Sequence, residues 1–168
     1  MARLLEQGWD QDWLQARGIA NHAVALERLA RLLDGREDAA GSPQLRLQFT
    51  PAPGALTHPG EIEARMAPTQ RYLLVEIPHS QLPGVDEFIV RWRDLETGQL
   101  MEMSRQAVSR DAGASPVWRF RDDDWPPGRY RLELLSADAS LRFLAVADLQ
   151  IVSGAQALSS YAHPVPRP

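Results

Sequence analysis

The chain has neither cysteine nor lysine among its 168 residues. Without cysteine, a disulfide scaffold or thiolate metal site is excluded. Without lysine, there is no Schiff-base chemistry, no P-loop lysine and no amine general base. All 18 cationic side chains are therefore arginines, permanently charged planar forks suited to carboxylates, in a composition expected of GC-rich bacterial coding. Long apolar runs are missing too. Tyr72-Leu73-Leu74-Val75 and the stretch from Leu141 to Val146 fall far short of the ~20 residues that cross a bilayer, so no membrane span is expected. The opening residues, Met1 to Gly8, meet charge before an apolar leader core could form. The expected compartment is cytoplasmic, or periplasmic or extracellular if a leader has been removed. Nor is there a basic excess: 22 acidic against 18 basic residues give a net charge of −4, which argues against phosphate-backbone binding and hence against nucleic acid.

Recognisable catalytic spacings are absent as well. His22, His58, His79 and His163 fall in no HExxH or HxH pattern, no GxSxG elbow surrounds a serine, and no GxGxxG loop occurs. Neither an enzyme nor a cofactor is expected. Asp122-Asp123-Asp124 is the densest acidic cluster, but calcium wants six to eight oxygens, and Asp111 or Asp138 would have to converge on it. A solvated turn beside Arg121 and Arg129 is the simpler expectation, so no metal is assigned.

What the chain does contain is 44% hydrophobic and 24% charged residues, enough for one domain that buries roughly two thirds of its unfolded surface. The apolar period changes along it, with no internal repeat. Residues 1–35 read as a helical hairpin. Trp9 and Trp13 lie one turn apart before Gly18, and Asn21 is positioned to cap a helix from about His22 to Leu33. That helix carries Leu26, Leu29, Ala30 and Leu33 on one stripe and ends at Gly35. Residues 36–43 read as a linker, ending in Gly41-Ser42-Pro43.

From residue 44 to 152 the period is two. Leu45, Leu47 and Phe49 alternate with polar residues, as do Ile62, Ala64 and Met66 beyond the turn-rich segment 51–60. Tyr72 to Ile77 is apolar on both phases and reads as a central strand. Phe88, Val90 and Trp92 precede a turn at Thr97-Gly98, Met101 and Met103 suggest a short strand, and Trp118 and Phe120 alternate with Arg119 and Arg121. Tyr130, Leu132 and Leu134 follow the turn Pro126-Pro127-Gly128, and a last strand spans about Leu141 to Val152. Seven to eight short strands without a helix between them predict an antiparallel β-sandwich. Residues 153–168, ending in His163-Pro164-Val165-Pro166-Arg167-Pro168, read as an extended tail.

The run Trp125-Pro126-Pro127-Gly128-Arg129-Tyr130-Arg131-Leu132, followed by an apolar strand, resembles the penultimate and last strands of immunoglobulin-like and fibronectin type III-like domains. The resemblance covers about residues 44 to 152. It implies a mainly β, antiparallel immunoglobulin-like sandwich, with Tyr130 pinning the corner before the penultimate strand and Trp92 as the core tryptophan. The cysteine pair of antibody domains is missing, and the superfamily hosts unrelated functions.

The expected function is a non-catalytic protein–protein interaction or assembly subunit, binding a protein partner or a second copy. Its candidate contact residues are Trp9, Trp13, Leu26, Leu29 and Leu33 on the helices and Arg91, Arg93, Arg129 and Arg131 on the outward phase of two strands. Like charges opposite one another destabilise a sheet, so those arginines either interleave with Glu133, Asp94, Asp148 and Glu76 or await an acidic partner. The last strand is apolar on both phases, and its outer face wants cover from the helices in cis or from a second chain. The alternative is a carbohydrate-binding module that stacks sugar on Trp125, since Trp92, Trp118 and Tyr130 fall in phase with core neighbours.

Overall fold

The computed structural model describes residues 2–39, 48–49, 64–66, 72–82, 84–108, 111, 113–123 and 125–151. The expectations for 40–47, 51–60, residue 124 and the tail 153–168 lie outside the described residues.

Three short helices, rather than a two-helix hairpin, form the N-terminal region: α1 (Ala2–Glu6), α2 (Gln11–Ala16) and α3 (Ala23–Leu33). The extra break follows α1, where Gly8 adopts φ 85°. Its amide donates to Leu5 O and the Trp9 amide donates back to Leu4 O, a glycine-terminated Schellman end. Asp10 then restarts the chain by accepting the Trp13 amide at 2.8 Å. Gly35, at φ 71°, ends α3 in the same way, with Gly35 N donating to Leu32 O and Arg36 N to Arg31 O. The α3 cap position is His22 rather than Asn21, and its side chain makes no capping bond. The buried stripe of α3 is Ala25, Leu29 and Leu32, with Leu26 and Leu33 half-buried at its flanks.

Six strands of seven to nine residues make the antiparallel framework: β3 (Tyr72–Pro78), β4 (Glu87–Asp94), β5 (Leu100–Ala107), β6 (Ala114–Phe120), β7 (Gly128–Ser136) and β8 (Phe143–Ile151). Two shorter segments complete the sheets, β1 (Gln48–Phe49) and β2 (Ala64–Met66). The small sheet has the order β1-β3-β6 and the large sheet β2-β8-β7-β4-β5. The expectation of a purely antiparallel arrangement needs correction, because β2 pairs with β8 in parallel. β5 is also a full eight-residue strand rather than a short one around Met101 and Met103.

Two apolar cores result. Between the sheets, Val75, Ile77 and Val117 of the small sheet meet Phe88, Val90, Trp92, Leu132 and Leu134 of the large one. On the other side of the large sheet, α1 to α3 lay Leu4, Leu14, Leu29 and Leu32 on Ile89 and Leu135. The layers are therefore helices, large sheet and small sheet. Leu14, Ile19, Leu29 and Leu32 are wholly buried, so the outer face of the large sheet is covered in cis.

Two aromatic placements differ from the sequence expectation. Trp118 and Phe120 are each 60% exposed. The register sets Val117 opposite Val75 and Ser115 opposite Ile77, so the inward phase of β6 is 115 and 117, and Trp118 and Phe120 point away from the core. Trp125, in contrast, is wholly buried. It fills the end of the inter-sheet core, with its ring centroid 6.3 Å from Trp92 and 5.1 Å from Tyr130, the latter edge-on.

Candidate functional site

The four arginines of the outward phase do not form one open face. Arg91 lies opposite Glu133 in register and donates to its Oε2 at 2.7 Å, both side chains being wholly buried. A second bond runs from Arg91 Nη1 to Glu37 O at 2.9 Å. Arg131 stands opposite Asp148 and binds it through two nitrogens, at 2.6 and 2.9 Å, the bidentate geometry that makes arginine–carboxylate pairs strong. Arg93 and Arg131 face each other directly, an unfavourable pairing that Asp38 relieves from outside. Its Oδ1 accepts from Arg93 Nη1 at 3.4 Å and from Arg131 Nη1 at 3.3 Å. Arg129, opposite Gln150, is exposed.

Interleaving is thus carried by Glu133 and Asp148, with residues 36–39 of the linker region laid over the sheet. Asp94 instead caps a turn, accepting the amides of Glu96 and Thr97 at 2.8 and 3.0 Å, and Glu76 is an exposed residue of the small sheet. Burial pushes the Glu133 carboxyl above its ordinary value, against the pull of Arg91, Arg93 and Arg131. Burial likewise lowers Arg91, whereas the bonds to Asp148 raise Arg131. Arg91 Nε and Nη2, Arg93 Nε and Glu133 Oε1 find no hydrogen-bond partner. With no path to solvent for Arg91 and Glu133, the cluster acts as a fastening between strands and the linker region.

The helical candidates are also engaged within the chain. Trp9 is buried and stacks on Trp13 at 5.6 Å. Trp13 donates from Nε1 to Glu87 Oε2 at 2.8 Å and carries Arg105 5.1 Å over its ring. Arg17 pairs with Glu87 at 2.7 Å and with Asp86 at 3.3 Å, and holds the Asp86 carboxyl below its usual value. Arg28 pairs with Glu37 at 2.7 Å and donates to Ser140 O at 2.7 Å. Trp9, Trp13, Leu26, Leu29 and Leu33 therefore meet their own sheet, which offers no part of them as a broad contact surface.

His79 Nε2 lies 3.0 Å from Ser115 Oγ, a separation suited to a nucleophile and its base. Nothing in the chain's spacing signals this pair. Ser115 is wholly buried in the inward phase of β6, so no substrate carbonyl reaches its hydroxyl, and the contact ties β6 to the end of β3. Asp122 and Asp123 are exposed. Among the described residues, no group of three or more histidines or carboxylates is arranged to hold a metal ion.

Among the described residues of the sheets, two features are open to solvent. One is the outward phase of β6, where Ala114, Pro116, Trp118 and Phe120 carry no charge. By register, Glu76 of β3, exposed opposite Pro116, shares that face. The other is a cleft of about 430 Å³ at the mouth of the sandwich, between the β4–β5 turn and the end of β6. Its walls include Glu96, Leu100, Arg119, Arg121, Pro126 and Tyr130. The buried position of Trp125 removes it as the sugar platform of the alternative functional expectation. Comparison with protein-family models and with curated proteins finds no match. No helix among the described residues is long and apolar enough to cross a membrane.

Proposed function

We propose that the protein is a non-catalytic assembly subunit built on an immunoglobulin-like sandwich, and that it self-associates through the outer face of its small sheet. The immunoglobulin-like assignment draws support from the strand order and from Tyr130, whose hydroxyl donates to Pro126 O at 2.8 Å, as a corner tyrosine does. Trp92 occupies the core position on β4.

The observation that carries the functional reading is the pair Trp118 and Phe120, each 60% exposed on adjacent outward positions of β6. The helices already cover the opposite outer face of the sandwich, so this is the remaining sheet face with large exposed aromatics among the described residues. Pro116 brings no backbone N–H to β6, which blunts strand addition at that edge and favours docking through the face. A two-fold contact sets the patch against its own copy. The outward phase of β6 is uncharged, and Glu76 of β3, exposed opposite Pro116, is a charge on the same face. Aromatic side chains bury ~150–250 Å² each, so the exposed part of the pair supplies on the order of 250 Å² per copy, the anchor of an interface that buries ~800 Å² a side.

Light scattering of the full chain from micromolar to several hundred micromolar tests the reading. The expected result is a dimer that becomes monomeric when Trp118→Ser and Phe120→Ser are combined, with unchanged circular dichroism. A chain that stays monomeric throughout, or a dimer indifferent to the double substitution, overturns it.

A further inference from the structure

On the outer face of the large sheet, donors from β4, β7 and the linker region converge on one oxygen atom. Arg93 Nη1 reaches Asp38 Oδ1 at 3.4 Å, Arg131 Nη1 reaches it at 3.3 Å, and the Ala39 amide donates to it at 2.8 Å. Neither arginine is well satisfied there. Charge-assisted N–H···O bonds settle at ~2.7–2.9 Å, and both guanidinium contacts are longer, because one oxygen is shared between two cations that the register sets face to face. The other contacts of Arg93 are also long. Its Nη2 donates to Gly35 O at 3.3 Å, its Nη1 stands 3.6 Å from Glu133 Oε1, and its buried Nε has no hydrogen-bond partner. Arg131 commits Nε and Nη2 to Asp148 and directs Nη1 at the shared point. The sheet sets Arg91, Arg93 and Arg131 against the carboxylates of Glu133 and Asp148, so it is one negative charge short, and Asp38 supplies it. Yet the Asp38 side chain is 63% exposed, whereas that of Arg93 is nine-tenths buried. A rotamer change carries the Asp38 carboxylate into water without moving the backbone, while the arginines stay fixed in the sheet.

We propose that the Asp38 carboxylate occupies a site for a phosphate-class oxyanion, and that such an anion binds by displacing it. A tetrahedral oxyanion presents a separate oxygen to each of Arg93 Nη1, Arg131 Nη1 and the Ala39 amide, whereas Asp38 offers one oxygen to all three. A phosphomonoester also brings about −1.5 to −2 charges near neutral pH, more than the single charge it replaces. Chloride, a single atom, repeats the shared geometry of Asp38 and gains nothing over it. The carboxylates of Glu133 and Asp148 oppose a second anion, and Asp38 competes from within the chain, so the affinity of the parent chain is expected in the millimolar range, about 1–100 mM.

The test titrates the full chain and its Asp38→Ser variant with inorganic phosphate, a blocked phosphoserine peptide and chloride at constant ionic strength. NMR follows the Ala39 amide and the side-chain N–H groups of Arg93 and Arg131. Phosphate is expected to shift all three in the parent chain and to bind Asp38→Ser at least tenfold more tightly, because the competing carboxylate is gone. Arg131→Gln should weaken phosphate at least tenfold. Tighter binding of the phosphoserine peptide than of inorganic phosphate assigns the site to a phosphorylated segment of a partner, and the reverse order assigns it to the free ion. Equal responses to chloride and phosphate, no gain in a folded Asp38→Ser chain, or binding indifferent to Arg131→Gln overturns the proposal. Should circular dichroism show that Asp38→Ser disturbs the fold, the parent chain decides: no shift at these groups up to about 100 mM phosphate overturns the proposal equally. These outcomes are separate from the oligomeric state, which reports the proposal about β6.

Discussion

The buried ion pair between Arg91 and Glu133 makes a sharp quantitative test of how the layers are joined. The atoms lie 2.7 Å apart with both side chains wholly buried, so at an effective dielectric of ~20 the attraction is ~6 kcal/mol. Withdrawing each ion from water costs several kcal/mol, and the net worth of the pair is therefore small. Breaking it is another matter, because Glu133→Leu leaves Arg91 charged, buried and bonded only to Glu37 O. Loss of one member of such a pair costs ~3–5 kcal/mol. Replacing both, Arg91→Met with Glu133→Leu, removes the stranded charge and should recover at least half of that loss. Urea unfolding of the parent, both single variants and the double variant, at constant m-value, gives the coupling directly, with ~2 kcal/mol or more expected. A Glu133→Leu cost below about 1 kcal/mol, or losses that merely add in the double variant, would refute the reasoning.

Three further outcomes follow from individual contacts. Leu29→Ala removes a wholly buried side chain from the core between helices and sheet, and thermal unfolding should report a loss of ~2–5 kcal/mol; a change under 1 kcal/mol would mean the helices do not pack as described. Gly35→Ala places a Cβ 2.9 Å from Gly98 O at a φ of 71° and should cost on the order of 1–3 kcal/mol in the same assay, with a neutral result arguing against that close approach. The pH dependence has a definite sign. The folded chain holds the Glu133 proton to higher pH than the unfolded chain, so its contribution to stability falls as pH rises from 4.5 through the raised value. Asp138 contributes in the opposite sense. Burial raises its pKa, but bonds from the Ser140 side chain and amide and from Ser136 outweigh that and leave it lowered, so its contribution is kept above 3.8 and lost as pH falls through the lowered value. Glu133→Gln should flatten the decline above pH 4.5 in denaturant midpoints measured across pH; an unchanged profile would contradict the buried charge.

Much of the framework is legible in the chain because it rests on local periodicity. The step from 3.6 to 2 near residue 40 separates the helices from the strands, and Gly18, Gly35 and Gly98 mark element ends where φ is 73°, 71° and 72°, values that an L side chain resists. The candidate site is less legible, for reasons visible in particular residues. Residues 72 to 75 of β3 are apolar on both phases, and its alternation does not say which face of its neighbour β6 turns inward; that was decided by the pairing of Val75 with Val117, which sends Trp118 and Phe120 outward. Trp125 lies in a loop by sequence, and only the packing of Trp92 and Tyr130 around it makes it core. The phase of Arg91, Arg93, Arg129 and Arg131 points them away from the inter-sheet core, but nothing local reveals that residues 36–39 and the helices roof that face.

By itself the sequence determined the absence of thiol and lysine chemistry, the boundary between helical and β segments, and the alternation that makes a two-sheet sandwich, because each depends on residue type or on spacing within one element. The tertiary structure decided which faces are covered, that Asp38 stands between Arg93 and Arg131, and that Trp125 is core while Trp118 and Phe120 are exposed. Those outcomes depend on contacts between segments distant in the chain, where cover for one face is supplied by residues whose own periodicity carries no address for it.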